Sequence, residues 1–299
     1  MVADHEYTLR STSFTAGLNR LSRRLVPLQR MFQNCENPSC DQCRVLWPPW
    51  VRSSAGMRLQ GRWYCSPDCF EHAAHEAILR LASAPEGVRK KSHRIPIGLL
   101  LLSRGMINDA QLKRALVMQR EKGSGRIGKI LQEIQAVSEQ DITSGLAAQW
   151  GCPVYPLNRE REFLQCASLL PMTLLETGRM LPVHHIPLQQ TLYLAFVEGV
   201  DHGALYTVEQ MLHLRTVPCI VSESALAEAF EALHRAGDVP TTVFDSPFEP
   251  REMARTTCSY AWQVGAENVS MARSGRFLWV RLYTPEGCKD ILFQSLTDV

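Results

Sequence analysis

Five cysteines crowd one stretch of the chain, spaced Cys35-x4-Cys40-x2-Cys43, then 21 residues, then Cys65-x3-Cys69. Thiolates grouped in this way suit a soft divalent ion, and zinc takes four such ligands in a tetrahedron, commonly two from a knuckle and two from a second turn. Cys40 and Cys43 supply the knuckle. Cys65 follows an expected strand, Arg62-Trp63-Tyr64, and Cys69 falls in the first turn of an expected helix over Ser66–Leu81. There the helix dipole favours a thiolate. The expected metal ligands are therefore Cys40, Cys43, Cys65 and Cys69. Cys35 is surplus, either a replacement ligand for Cys40 or a free thiol, and His72 and His75 are weaker substitutes. Four cysteines close the coordination shell and leave no position for water, so the site reads as structural rather than catalytic.

The elements that must position these groups are set by length and composition. At 299 residues, with 45% hydrophobic and 21% charged residues, the chain predicts two or three ordinary globular domains. Lys plus Arg (32) nearly cancels Asp plus Glu (30), which argues against a nucleic-acid-binding surface. The start, MVADHEYTLR, lacks the apolar core of a secretory signal. The longest apolar run, Ile95–Leu102, is far shorter than a membrane span and contains Pro and Gly. The expectation is a soluble, cytoplasmic protein without a membrane span. A cysteine cluster in such a chain points to metal rather than to disulfides.

Residues 1–30 place Phe14, Leu18, Leu21, Leu25 and Leu28 at helical spacing among arginines, an amphipathic segment. Residues 31–85 hold the cysteine cluster and resemble a treble-clef zinc finger, WYCSPDCFEHA matching its second half. A segment of ~55 residues is too small to fold on its core alone, so bound zinc would contribute folding energy. A polar linker, Ala84–Arg94, leads to the longest structured block, 92–236. A Pro-rich join from Pro240 to Pro250 then leads to a small α+β tail over 245–299, with a helix at Arg251–Val264 and three strands.

Within the long block the chain repeats itself at an offset of 30. Ile97-Gly98 falls on Ile127-Gly128, Leu101 on Leu131, Leu112 on Ile142, Leu116 on Leu146 and Gln119 on Gln149. Cap residues repeat as well: Asn108 with Gln111, and Ser138 with Asp141. Each unit is thus a short helix, a turn and a longer capped helix ending near a Gln, and this helical part spans 95–150. An α/β part follows over 151–236.

RIGKILQEIQAVSEQDITSGLAAQWGCPV, with LLPMTLLETGRMLPVHHIPLQQTLYLAFVEG downstream, resembles the N-terminal domain of type II secretion and type IV pilus assembly ATPases, the MshE N-terminal type. In that family the paired motifs bind cyclic di-GMP. The resemblance implies a ligand site at Ile97, Gly98, Leu112, Leu116 and Gln119 in the first repeat, and Arg126, Ile127, Gly128, Ile142, Leu146 and Gln149 in the second. It also implies a partner from the secretion or pilus machinery. Two departures stand out: Pro96 replaces the leading Arg of the first motif, and Gln135 replaces a usual Gly. Arg94 is a candidate substitute. A lost charge-assisted contact of this kind is worth ~1.5–3 kcal/mol.

Other signals resolve into decoys. Gly123-Ser-Gly-Arg-Ile-Gly128-Lys129 has phosphate-loop spacing, but Ile130 stands where Ser or Thr must bind magnesium, and a helix precedes it. His184-His185 has no acidic residue or cysteine at ligand spacing. Cys152, Cys166, Cys219, Cys258 and Cys288 are scattered and read as small core residues. In RFLWVRLYT, Phe277, Trp279, Arg281 and Tyr283 alternate with Leu278, Val280 and Leu282, which predicts a half-exposed sheet face, or an arginine placed to stack on a base.

The expected fold class is α+β multidomain: a treble-clef-like zinc module, a helical repeat with an α/β subdomain, and an α+β tail. The expected function is a non-enzymatic regulatory or adaptor protein, with structural zinc and cyclic di-GMP as the ligands implied. One alternative is an interaction module whose nucleotide site is degenerate. The other is a zinc finger that binds nucleic acid through Arg89–Arg94, against which the charge balance argues.

Overall fold

A computed structural model describes residues 35–40, 56–83, 94–157, 162–237, 241–246 and 248–294. The amphipathic segment over 1–30, Cys43 and the linker up to residue 93 lie outside the described residues.

The first strands among the described residues are β1 (Met57–Leu59) and β2 (Arg62–Tyr64), joined by Gln60-Gly61 with φ of 51° and 82°. Two successive positive φ angles give the tight primed turn whose twist matches paired strands. Helix α1 (Pro67–Ser83) follows, with Pro at its first position, where a missing N–H costs nothing.

The α/β mixture matches the expected class, but the boundaries between modules differ. The sequence predicts a cysteine module over 31–85 separate from a tail over 245–299, whereas strands from both ends of the chain share one sheet. Its order is β2-β1-β7-β8-β9-β6, with β6 at Thr241–Phe244, β7 at Asn268–Ser274, β8 at Phe277–Thr284 and β9 at Gly287–Gln294. Strand β1 runs parallel to β7, and the Arg58 and Gln60 amides donate to the Glu267 and Val269 carbonyls at 3.2 and 2.7 Å. The Pro-rich join itself supplies β6, parallel to β9. A hairpin of two three-residue strands cannot bury enough surface alone. It therefore completes an existing sheet.

Helix α1 covers one face of this sheet beside the last helix of the chain (Pro250–Gln263). Phe70 and Ile78 from one end of the chain share a core with Met253, Leu278, Val280 and Leu282 from the other. The opposite face carries Phe277, Trp279 and Leu292 into the core of the α/β subdomain. Strand β8 is thus buried on both faces, which corrects the expectation of a half-exposed one. Its Arg281 is paired with Asp290 across the strands, Nε to Oδ1 at 2.8 Å and a second guanidinium N–H to Oδ2 at 2.7 Å. Arg281 also donates to the Leu169 carbonyl, and Trp279 donates to Asp290. No part of that guanidinium is offered to a base.

Between the two ends of the chain sits the long block. The repeat consists of α2 (Ile97–Ser103), α3 (Asp109–Glu121), α4 (Ile127–Glu133) and α5 (Glu139–Trp150) around Leu101, Leu112, Ile130 and Leu131. The α/β part has α6 (Glu162–Ala167), α7 (Met172–Gly178), β3 (Met180–Ile186), β4 (Thr191–Phe196), α8 (His202–Leu212), β5 (Arg215–Ile220) and α9 (Glu223–Ala236). The last helix of the chain is accordingly α10. The three strands pair in the order β3-β4-β5, antiparallel then parallel across α8. Pro218 is accommodated because β5 lies at the edge of its named strands.

No helix among the described residues is long and apolar enough to cross a membrane. Of the scattered cysteines, Cys166, Cys219 and Cys258 are buried, and burial pushes the Cys219 thiol up to about 12. Cys288 departs from the core expectation: it is exposed on β9. His184 does find an acid, the Glu162 carboxylate 2.9 Å from Nδ1, supplied by a helix distant in sequence.

Candidate ligand and metal sites

The helical repeat obeys its 30-residue offset down to single hydrogen bonds. Asn108 and Ser138 cap α3 and α5, each accepting from the backbone of the residue three later, and Gln111 and Asp141 return the bond. Hydrogen bonding by Ser138 holds the Asp141 carboxyl below its usual range. After the short helices the chain turns through Gly105 and Gln135, with φ of 69° and 56°. The next amides donate alike, Met106 to Leu101 and Ala136 to Leu131. A left-handed residue is therefore a backbone requirement at this turn, met by Gly105 in the first repeat and by Gln135 in the second.

The paired glycines serve helix packing. A Cβ on Gly98 would lie 2.8 Å from the Leu112 side chain, and one on Gly128 would lie 3.4 Å from Ile142. Gly98, Gly128 and Leu112 are buried, while Ile97, Ile127, Ile142 and Leu146 are half-buried. The glutamines link the repeats. Gln119 donates to the Gly125 carbonyl at 2.6 Å and Gln149 to the Ile95 carbonyl at 2.7 Å, positions that are themselves 30 apart. Each long helix thus fastens the start of the other repeat's short helix.

The charged end of the motif is asymmetric. Pro96 leads α2, and Arg126 leads α4 with its side chain 57% exposed. Arg94 stacks on α5: its guanidinium carbon lies 3.2 Å from the ring centroid of Trp150. Arg126 meets the carboxylate of Glu198, which follows β4 in the α/β part. Glu198 and Glu223, sequence-remote partners of this site, carry no periodic or motif signal that would have singled them out.

The two repeats also differ in what covers them. Helix α5 lies against β5, with Ala147 buried and Leu146 packed on the α/β core. The same offset on α3 gives Leu116 and Val117, which are 39% and 51% exposed. Ile95 and Leu99 nearby are exposed too.

At the other end of the molecule, Cys35, Cys40, Cys65 and Cys69 bring four Sγ atoms within 4.8 Å of one another. Asn37, Pro38 and Ser39 turn the chain between the first two: the Ser39 amide donates to Asn37 Oδ1 and the Cys40 amide to the Asn37 carbonyl. The Glu36 amide ties this turn to Trp63 on β2. Ser66 Oγ accepts from the Cys69 amide and starts α1. An Asn-Pro pair is a turn signal, and it marks Cys35-x4-Cys40 as a knuckle. The surplus thiol of the sequence reading thereby joins the cluster, while Cys43 lies outside the described residues. His72 pairs with Glu76 rather than joining the thiols.

The group fits a tetrahedral ion. With metal–sulfur bonds of ~2.3 Å the edges of a sulfur tetrahedron are about 3.8 Å. Cys40 and Cys65 are 3.4 Å apart, and Cys65 and Cys69 are 3.9 Å apart. Without a cation, burial pushes the Cys35 thiol up to about 11 and raises that of Cys65 as well.

The central domain is similar to secretion and pilus assembly ATPases and to N-terminal domains among the solved structures. Among curated proteins, the type IV pilus assembly ATPase PilB of Thermus thermophilus is 27% identical over 133 residues, 44% of this chain and 15% of that one. Among solved structures, MshE with cdg aligns over 47% of this chain and 99% of its own at 28% identity, with a TM-score of 0.41. The N-terminal domain of XpsE aligns over 46% and 92% at 23% identity, with a TM-score of 0.33. No family model matches the chain.

Proposed function

We propose that this chain is a non-enzymatic regulatory or adaptor protein, in which a zinc-stapled domain carries a docking domain of the secretion-ATPase N-terminal kind. The observation that carries the reading is the unequal cover of the two repeats. What α5 buries against β5 has its counterpart on α3 at exposed Leu116 and Val117, an apolar face suited to a partner. The similarity to a pilus assembly ATPase favours a component of secretion or pilus machinery as that partner.

Zinc is the metal assigned to Cys35, Cys40, Cys65 and Cys69, since an all-thiolate tetrahedron suits it and leaves no open position for chemistry. Cyclic di-GMP is the nucleotide assigned to the repeats, bound weakly through Arg126. With Pro96 in place of the second arginine, affinity falls roughly ten- to hundredfold below that of a two-arginine site.

The experiment is a capture from cells with the full chain and with Leu116→Glu and Val117→Glu. The reading expects a secretion or pilus component retained by the unaltered protein and lost from both variants. Equal retention by all three, or capture of no such component, overturns it.

A further inference from the structure

The one arginine that the paired motifs keep is already engaged. Arg126 meets Glu198, and Arg179 reaches the same Glu198 oxygen at 3.0 Å. Arg179 continues to Glu223 at 2.9 Å, and Lys129, on α4 with Arg126, meets that Glu223 oxygen at 2.9 Å. Three cations face two carboxylates, so these five groups carry a net charge of +1 toward a dianion. The network also crosses a boundary. Arg126 and Lys129 belong to the repeat, whereas Arg179, Glu198 and Glu223 belong to the α/β part. Beside it Glu139 at the start of α5 accepts from both the amide and the hydroxyl of Ser224 on α9. The seam between the two parts is therefore ionic and polar along this edge.

We propose that Glu198 stands in for a phosphodiester anion: it holds Arg126 in the ligand-free protein, sets the affinity for the nucleotide, and makes nucleotide binding compete with closure of the seam. The inference rests on the reading of the repeats as a cyclic di-GMP site. Its physical content is a shared partner. A guanidinium that turns its donors to a ligand phosphate releases the carboxylate that held it, and the ligand then works against an intramolecular ion pair already formed. Glu198 is thereby a residue that tunes specificity, and the released contact is the element through which binding reaches the α/β part. Arg179 keeps Glu198 from following Arg126 outward, because it is ion-paired with Glu198 and hydrogen-bonded to Glu223.

The test is calorimetric titration of the full chain with cyclic di-GMP, using the unaltered protein, Glu198→Gln and Arg126→Ala, with folding checked by circular dichroism. Glu198→Gln keeps the shape of the side chain and removes its charge. Partly exposed pairs have modest energies, so binding should tighten about three- to tenfold in Glu198→Gln. It should disappear in Arg126→Ala. Glu198→Ser serves as the second variant if the first does not fold, with the same expectation. Hydrogen exchange supplies a second readout: saturating nucleotide should speed exchange at the start of α9, around Ser224. If the unaltered protein binds and the Glu198 variants bind equally or more weakly, the stand-in role is overturned and the nucleotide reading survives. If no folded variant binds, both are overturned.

Discussion

If the four thiols hold zinc as proposed, removing it should loosen both ends of the chain together. Cys65 is the vertex to delete, because its Sγ lies 3.4 Å from Cys40 and 3.9 Å from Cys69. Cys65→Ser, or a strong chelator acting on the unaltered protein, leaves three ligands or none. A site held at free zinc about a thousandfold above its Kd adds about 4 kcal/mol to the folded state. At roughly 2–4 °C per kcal/mol for a domain of this size, the midpoint of thermal unfolding should fall by roughly 8–16 °C. The location of the change is more diagnostic than its size. The hairpin pairs with β7 through Arg58 and Gln60, α1 packs on α10, and the Cys258 thiol donates to the Pro67 carbonyl at 3.6 Å. Hydrogen exchange followed by mass spectrometry should therefore rise in β1, β7, α1 and α10 alike, while the helical repeat keeps its protection. Elemental analysis must find one zinc per chain. Loss of protection confined to 35–83, with β7 and α10 unchanged, would refute the shared-sheet account, as would an unchanged midpoint.

Other expectations follow from the same geometry. Because burial raises the Cys35 and Cys65 thiols, metal uptake must release protons, so zinc affinity in competition with a chelator should increase from about pH 6 to about pH 8. Asp290→Ala strands a buried guanidinium and should cost about 3–5 kcal/mol in denaturant unfolding; a paired Arg281→Met, Asp290→Leu variant should cost much less. Gln135→Gly relieves a left-handed turn at a position that Gly105 already occupies in the first repeat. It should stabilise by about 0.5–1 kcal/mol, net of the extra freedom of the unfolded chain. Hydrogen bonds from Arg179, then Lys129, hold the Glu223 carboxyl below its usual range. A depressed carboxyl stabilises above its unfolded value and loses that contribution as pH falls through its folded one. The stability gap between the unaltered protein and Glu223→Gln should hence be small near neutrality and vanish in acid.

How much of this was legible depends on sequence distance. The repeat declared itself because its signals are local: periodic leucines, two cap pairs and a 30-residue offset survive in any window that includes them. The thiol cluster was legible for the same reason; Cys35 joins it through the Asn37-Pro38 turn, while Cys43 lies outside the described residues. Nothing local announced that Met57–Leu59 would lie beside Asn268–Ser274. A three-residue strand has almost no alternation to read, and parallel pairing leaves no hairpin signal. Arg281 misled for a related reason. Its alternation places it on one face of β8, but exposure depends on what covers that face, and the cover comes from the α/β part through Leu169. Glu198 was invisible because a single carboxylate after a strand becomes meaningful only when Arg126 is seen against it.

The proposed nucleotide site in the repeats has Arg126 as the arginine its motifs keep, already ion-paired with Glu198. The affinity of the purified full chain for cyclic di-GMP tests it most directly. The expected result is weak binding that Arg126→Ala abolishes. Nanomolar binding, or binding that is indifferent to the loss of Arg126, would contradict it.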